Sequence, residues 1–251
     1  QGVGDAEWEI RRTFDVQPAE LAGKWAVLDL EFVDTFAEVL VNGRSVASLG
    51  SSFIRHRIDV TAALRPGENI IALRFRPSAA EAHRLAATQP FPIPWSISNN
   101  RIADMNMIRK AQCHAGWDWG LCLMVLGVYA EPKLRFFDAA RIESLVIRQA
   151  HHDDGRATVT AEVALTACRD AMLPVVFAFG DRQVTAEAAV SGAAGGTASL
   201  SLVLDKPALW WPAGHGDQPL HVARVSIPGD EAVRTIGLRK LELINEKDAV
   251  G

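Results

Sequence analysis

Apolar and polar residues alternate near the start of the chain: Trp8, Ile10, Phe14 and Val16 share one parity, and Ala26, Leu28, Leu30 and Phe32 repeat the arrangement. A period of two puts such residues on one side of a pleated strand, so both runs are expected to be strands with one buried face. Asn42-Gly43 lies between Val39-Leu40-Val41 and Val46, where it suits a two-residue hairpin turn needing positive φ at both positions. Ile71, Leu73 and Phe75 predict another strand, entered through the turn Arg65-Pro66-Gly67-Glu68-Asn69 and closed by Pro77. Ser78 with Glu81 three residues on is a capping-box pattern, predicting a short Ala-rich helix to about Thr88. Pro90, Pro92 and Pro94 then impose an extended crossing that carries Phe91 and Trp95. From Cys122 to Tyr129 a nearly continuous apolar run predicts a strand buried on both faces.

The pattern changes near Phe137. New strand-like runs follow at Ile142 to Ile147, Ala157 to Leu165, Leu173 to Phe179, Ala198 to Leu204 and His221 to Ile227, with turns at Asp153-Asp154-Gly155 and Gly192 to Gly196. About seven short strands in ~110 residues fit an immunoglobulin-like sandwich. No βαβ alternation, internal repeat or low-complexity tract is present, so the expectation is an all-β chain of two domains, 1–137 and 138–251.

Composition narrows the classes further. Of 251 residues, 49% are hydrophobic and 22% charged, ordinary values for a globular chain with a core. A net charge of -4 without a basic block argues against nucleic acid or an anionic membrane surface as partner. The apolar stretch from Leu121 to Ala130 is about half of the ~20 residues a membrane span needs. Residue 1 is Gln and no signal-like region precedes the first strand pattern, which leaves the compartment unreadable. Cys113, Cys122 and Cys168 are too few for a disulfide framework and too irregularly spaced for zinc, so buried reduced thiols are expected, with Cys113 and Cys122 in strand-like runs flanking the turn.

The densest chemistry lies between Asn106 and Gly120, ending in Gly116-Trp117-Asp118-Trp119-Gly120. An indole face can receive the C-H groups of a pyranose, an ionised carboxylate can accept paired hydroxyls, and the glycines permit the turn that projects both. The same residues also suit a tight turn whose tryptophans fill a core, and spacing alone leaves both readings open. Other clusters carry less. Trp210-Trp211-Pro212 ends an apolar strand and reads as packing between domains. His151-His152-Asp153-Asp154 has metal-ligand residue types, but neighbours in a turn point different ways, so no metal site and no cofactor are expected. His114 reads as a hydrogen-bonded buried histidine or an orienter of the turn, and Arg109 with Lys110 as a charge pair on a strand face.

The segment R-K-A-Q-C-H-A-G-W-D-W-G (Arg109 to Gly120) resembles the N-terminal domain of β-mannosidases, retaining glycosidases related to β-galactosidase and β-glucuronidase. The resemblance extends to D-T-F-A-E-V-L-V-N-G (Asp34 to Gly43), D-V-T-A-A-L-R-P-G-E-N (Asp59 to Asn69), L-W-W-P-A-G-H-G-D-Q-P-L (Leu209 to Leu220) and R-T-I-G-L-R-K-L-E-L-I-N-E (Arg234 to Glu246). Leu121 departs from the family, where Pro commonly follows the motif. The resemblance implies a truncated jelly-roll (galactose-binding-like) sandwich followed by an immunoglobulin-like sandwich, cut inside the first domain and just before the family's (β/α)₈ barrel.

A retaining glycosidase needs two carboxyl groups about 5 to 5.5 Å apart, and in this family both lie in that barrel, which takes ~250 residues on its own. No catalytic residue is therefore expected here; Asn245-Glu246 imitates the family's acid/base but lacks its Trp and Gly context. What the resemblance assigns is substrate contact, by Asp118 and more weakly by Trp117, with Trp119 structural. The implied partner is a β-mannoside or manno-oligosaccharide, met together with the missing barrel. Two rivals stand beside this: a free carbohydrate-binding module, and the accessory domains of a related β-glycosidase with another sugar preference.

Overall fold

The computed structural model describes residues 2–94, 102–117 and 120–246. The chain is all-β and divides into two compact units, Gln1–Phe136 and Phe137–Gly251.

In the first unit the strands are β1 (Trp8–Val16), β2 (Trp25–Leu30), β3 (Val33–Asp34), β4 (Phe36–Val41), β5 (Arg44–Gly50), β6 (His56–Asp59), β7 (Gly67–Phe75), β8 (Gly127–Val128) and β9 (Lys133–Phe137). They form a four-stranded sheet in the order β1-β7-β4-β5, a three-stranded sheet β6-β2-β9 and the short pair β3-β8. Between the two larger sheets lie Ala26, Leu28, Leu30, Val39, Val41, Leu49, Leu73 and Phe75, all buried. Alternation on β2 and β7 thus does what the sequence pattern implies.

The hairpin forms as expected. Val41 pairs with Arg44, and Asn42 and Gly43 take φ of 52° and 80° between them. Asn42 also ties this turn to the next strand: its Nδ2 donates to the Ala63 carbonyl and to Asn69 Oδ1, and its Oδ1 accepts from the Ile70 amide. Asn69, fully buried, donates to the carbonyls of Arg65 and Gly67, each at 2.8 Å, and accepts from the Arg65 amide, which closes the turn into β7.

Three expectations fail here. β1 forms and pairs with β7, yet Trp8 and Ile10 are each 45% exposed and only Val16 is buried. The cause is position: β1 is the edge of its sheet, and its apolar face borders an open cavity of about 570 Å³ lined also by Phe14, Leu28, Leu73 and Leu134. Phe32 is not in β2; it takes φ of 51° and is exposed. The helix forms over Ser78–Ala86 without the capping box, because Pro77 holds the N-cap position and the Glu81 carboxylate is taken by Arg76 and Arg84. Beyond it, Pro90 to Pro94 have no regular structure, and Phe91 is exposed. Trp95 lies outside the described residues.

In the second unit β10 (Ala140–His151), β11 (Ala157–Ala167) and β14 (Gly196–Leu204) form one sheet, in the order β10-β11-β14. Strands β12 (Ala171–Phe179), β13 (Arg182–Val190), β15 (His221–Ile227) and β16 (Asp230–Ile236) form the other, in the order β13-β12-β15-β16. Alternate residues of both sheets, among them Val159, Ala161, Val163, Val175, Phe177, Phe179, Ala223 and Val225, build a core between them. Pro174 is tolerated in β12 because pairing with β15 begins only at Val176, so no ladder bond is lost on that side. Asp230 is buried, and its Oδ2 accepts from the Ile142 amide at 2.7 Å beside the β10 bulge.

Candidate functional site

The segment from Met105 to Tyr129 carries the motif, and its sequence makes little regular structure. Met105–Met107 and Gln112–Ala115 are short 3₁₀ turns. Met105, Ile108, Ala115 and Met124 instead join Phe36 and Ala82 in a small separate core, which seats the segment against the Ser78–Ala86 helix. His83 Nδ1 meets Asp104 Oδ2 at 2.6 Å in support. Arg109 is held by its backbone, its carbonyl accepting from the Ser52 amide (2.8 Å) and hydroxyl (3.0 Å).

Lys110 turns the other way. Its side chain is wholly buried, with Nζ 3.0 Å from Asp34 Oδ2 and donating to the Val125 carbonyl at 2.5 Å. Asp34 is equally buried and saturated. Its Oδ1 accepts from the Thr35 hydroxyl, and its Oδ2 accepts from Lys110, from His114 Nδ1 (3.0 Å) and from the Tyr129 hydroxyl (3.2 Å). A carboxylate only accepts, so His114 carries a proton on Nδ1 in this arrangement. Burial pushes the Lys110 ammonium below its ordinary range, and the Asp34 charge partly offsets that. Burial, with Asp34 adding to it, pushes the Tyr129 phenol up to about 12.

At the apex of the segment Gly116 takes φ of 121° and ψ of 146°, a conformation closed to residues with a side chain. Trp117 follows, 61% exposed, and the Gly120 amide donates to its carbonyl at 3.1 Å. That exposure removes the core-filling reading for Trp117. Asp118 and Trp119 lie outside the described residues.

Several sequence expectations are corrected at this site. The Cys122-to-Tyr129 run is not a buried strand: only Gly127 and Val128 pair, with Asp34 and Val33, while Leu121 is 81% exposed and Leu123 and Val125 are open as well. Arg109 and Lys110 are not a surface pair, since Lys110 is a core cation. Cys113 sits exposed in a 3₁₀ turn and Cys168 is exposed too; Cys122 is half-buried, its thiol donating to the Ala115 carbonyl. His114 is half-buried and hydrogen-bonded, as one of its two readings has it. What the sequence analysis missed is the Asp34 cluster. Its members stand 80 and 95 positions apart for His114 and Tyr129, and nothing in the local pattern marks Lys110 as internal.

The remaining candidates have partners in the second unit. Trp211 is stacked by Arg239, whose guanidinium carbon is 4.8 Å from the ring centre, and the Trp210 amide donates to the Leu238 carbonyl. His151 contacts Gln149 and His152 contacts Thr158 through their ring nitrogens, and Asp154 binds Arg156. Among the described residues no group of three or more His, Cys, Asp or Glu is placed to hold a metal ion, and no helix is long and apolar enough to cross a membrane. Glu246 is exposed in an irregular segment.

Residues 1–130 match the family described as "Glycosyl hydrolase 2 galactose-binding domain-like", and residues 140–239 match "Glycosyl hydrolases family 2". The chain belongs to glycosyl hydrolase family 2. Within that family it is similar to Beta-mannosidase B of Thermothelomyces thermophilus, at 31% identity over 97% of this chain and 29% of that protein. It is likewise similar to Beta-mannosidase B of Emericella nidulans, at 30% identity over 99% of this chain and 30% of that one. A solved β-D-mannosidase from Dictyoglomus thermophilum shares the fold, with a TM-score of 0.84 and 24% identity over 99% of this chain and 31% of that chain. The exo-chitosanase of Amycolatopsis orientalis follows at a TM-score of 0.66 and 20% identity, over 93% of this chain and 26% of that chain. The chain therefore spans about 30% of the length of the curated relatives it matches.

Proposed function

We propose that these two β units are the non-catalytic N-terminal portion of an exo-acting retaining β-mannosidase, and that Asp118 and Trp117 form one wall of its sugar pocket. Asp118 accepts hydroxyl hydrogen bonds from the terminal sugar, Trp117 offers an apolar face, and the two catalytic carboxylates come from a barrel that this chain meets in the whole enzyme. The exposed Trp117 on a loop whose two stems meet a buried carboxylate, Asp34, through His114 and Tyr129 is the observation that supports the reading most directly. Likeness to Beta-mannosidase B proteins along nearly the whole chain supports the choice of sugar.

Asp118→Ala in the full-length protein tests it. Hydrogen bonds to a charged group contribute ~1.5 to 3 kcal/mol each, and ~1.4 kcal/mol is a decade in rate. The expected loss in kcat/KM on a chromogenic β-mannoside is therefore roughly 10² to 10⁴-fold, with little change in melting temperature. A kcat/KM within about threefold of the parent, together with a lower melting temperature, would assign Asp118 to the turn instead.

A further inference from the structure

We infer that Asp34 and Lys110 are positioning residues: their buried pair pins both stems of the 109–129 segment and so sets where the sugar-facing turn between them stands. The inference rests on the pocket-wall reading for its purpose, but not for its geometry. Lys110 and His114 come from the stem that enters the turn, and both meet Asp34 Oδ2 at 3.0 Å. Tyr129, just past β8 on the returning stem, donates to the same oxygen at 3.2 Å. Lys110 then reaches across to the Val125 carbonyl, and the Val125 amide donates to the His114 carbonyl at 3.1 Å, so each stem is also tied to the other.

Between these ties the described residues form 3₁₀ turns and a few local hydrogen bonds, with side-chain packing against the small core, and no strand pairing before β8. A loop without a ladder of its own is positioned by whatever fixes its ends, and a carboxylate that receives four donors fixes them in one arrangement. Asp34 itself cannot drift. It belongs to β3, pairs with Gly127, and is separated by Thr35 alone from β4 in the main sheet. An apolar replacement of the pair would keep the core packed, so stability alone does not account for a buried ion pair here; fixing the turn does.

The test compares Asp34→Asn/Lys110→Met with the parent in the 251-residue chain, by hydrogen exchange read on peptides of 111–126 and on peptides of β4 and β7. The double variant leaves no uncompensated buried charge and is the one expected to remain folded. Tyr129→Phe, which removes a single donor and buries no charge, is the second variant. The pin requires exchange in 111–126 to rise at least about tenfold in the double variant, the factor for one lost hydrogen bond to a charged group, with the sheet peptides unchanged. Alkylation of the half-buried Cys122 should accelerate with it. No rise in 111–126, or an equal rise in loop and sheet, would overturn the inference.

In the full-length protein the same double change should lower kcat/KM well below its unfolding temperature, and should cost nothing further when Asp118→Ala is already present, since both act through one contact. An additive loss would refute positioning. If Asp118→Ala alone has no effect while exchange still localises to the loop, the sugar contact fails and the pin remains.

Discussion

Tyr129 is the only tyrosine in the chain, so the ultraviolet absorbance of phenolate reports this one group without interference. Half of the residue is open to solvent, but its hydroxyl donates to Asp34 Oδ2. Ionising it would place a second negative charge against a buried carboxylate and delete the hydrogen bond. Burial first, then the Asp34 charge and the bond, push the phenol from 10.0 to about 12. The sign follows directly: a raised value in the folded state means stabilisation fully present below pH 10, and lost as pH rises through the window from 10 to 12.

Titrating the native chain should show phenolate appearing about two decades in pH above the midpoint found in denaturant, where an ordinary phenol ionises near 10. Asp34→Asn removes the charge but not the burial, so its midpoint should fall between the two. Native and denatured titrations that coincide would refute the placement of the hydroxyl. An Asp34→Asn curve that overlays the parent would refute Asp34 as a cause.

Lys110→Met should destabilise the first unit by about 3 to 5 kcal/mol in denaturant unfolding, because it strands a buried carboxylate, whereas the double change with Asp34→Asn should restore much of that loss; equal costs for single and double variants would contradict it. Asn69→Ala deletes a side chain with four hydrogen bonds at the β7 turn, and a loss of about 2 to 4 kcal/mol is expected in the same assay. Ser78→Ala should show none of the ~1 kcal/mol loss that follows removal of a helix N-cap, while Glu81→Ala, which frees two arginines, should exceed it. A reversed order in thermal unfolding would restore the capping box.

Strands that bury one face were legible because period-two patterns are local, and β2, β7, β11, β12 and β15 appear where alternation places them. The Asn42-Gly43 turn was legible for the same reason. β13 and β16 were not, since Arg182 to Val190 and Asp230 to Ile236 mix alanine with charged residues, and their strand state comes from pairing with β12 and β15. The apolar run before Tyr129 misled because hydrophobicity does not say whether a segment has a partner to pair with. Of the site, the loop carrying Trp117 was legible through its motif. The pin beneath it was not: a lysine beside an arginine gives no local sign that it will meet an aspartate from the far end of the domain.

The gap between the sheets has a practical consequence for anyone handling this chain. An open apolar slot of about 570 Å³, lined in part by half-exposed Ile10, is a ready receptor for environment-sensitive fluorescent dyes in the fully folded protein. Dye-based melting scans will start from a high signal and blur the transition, whereas circular dichroism or calorimetry will not.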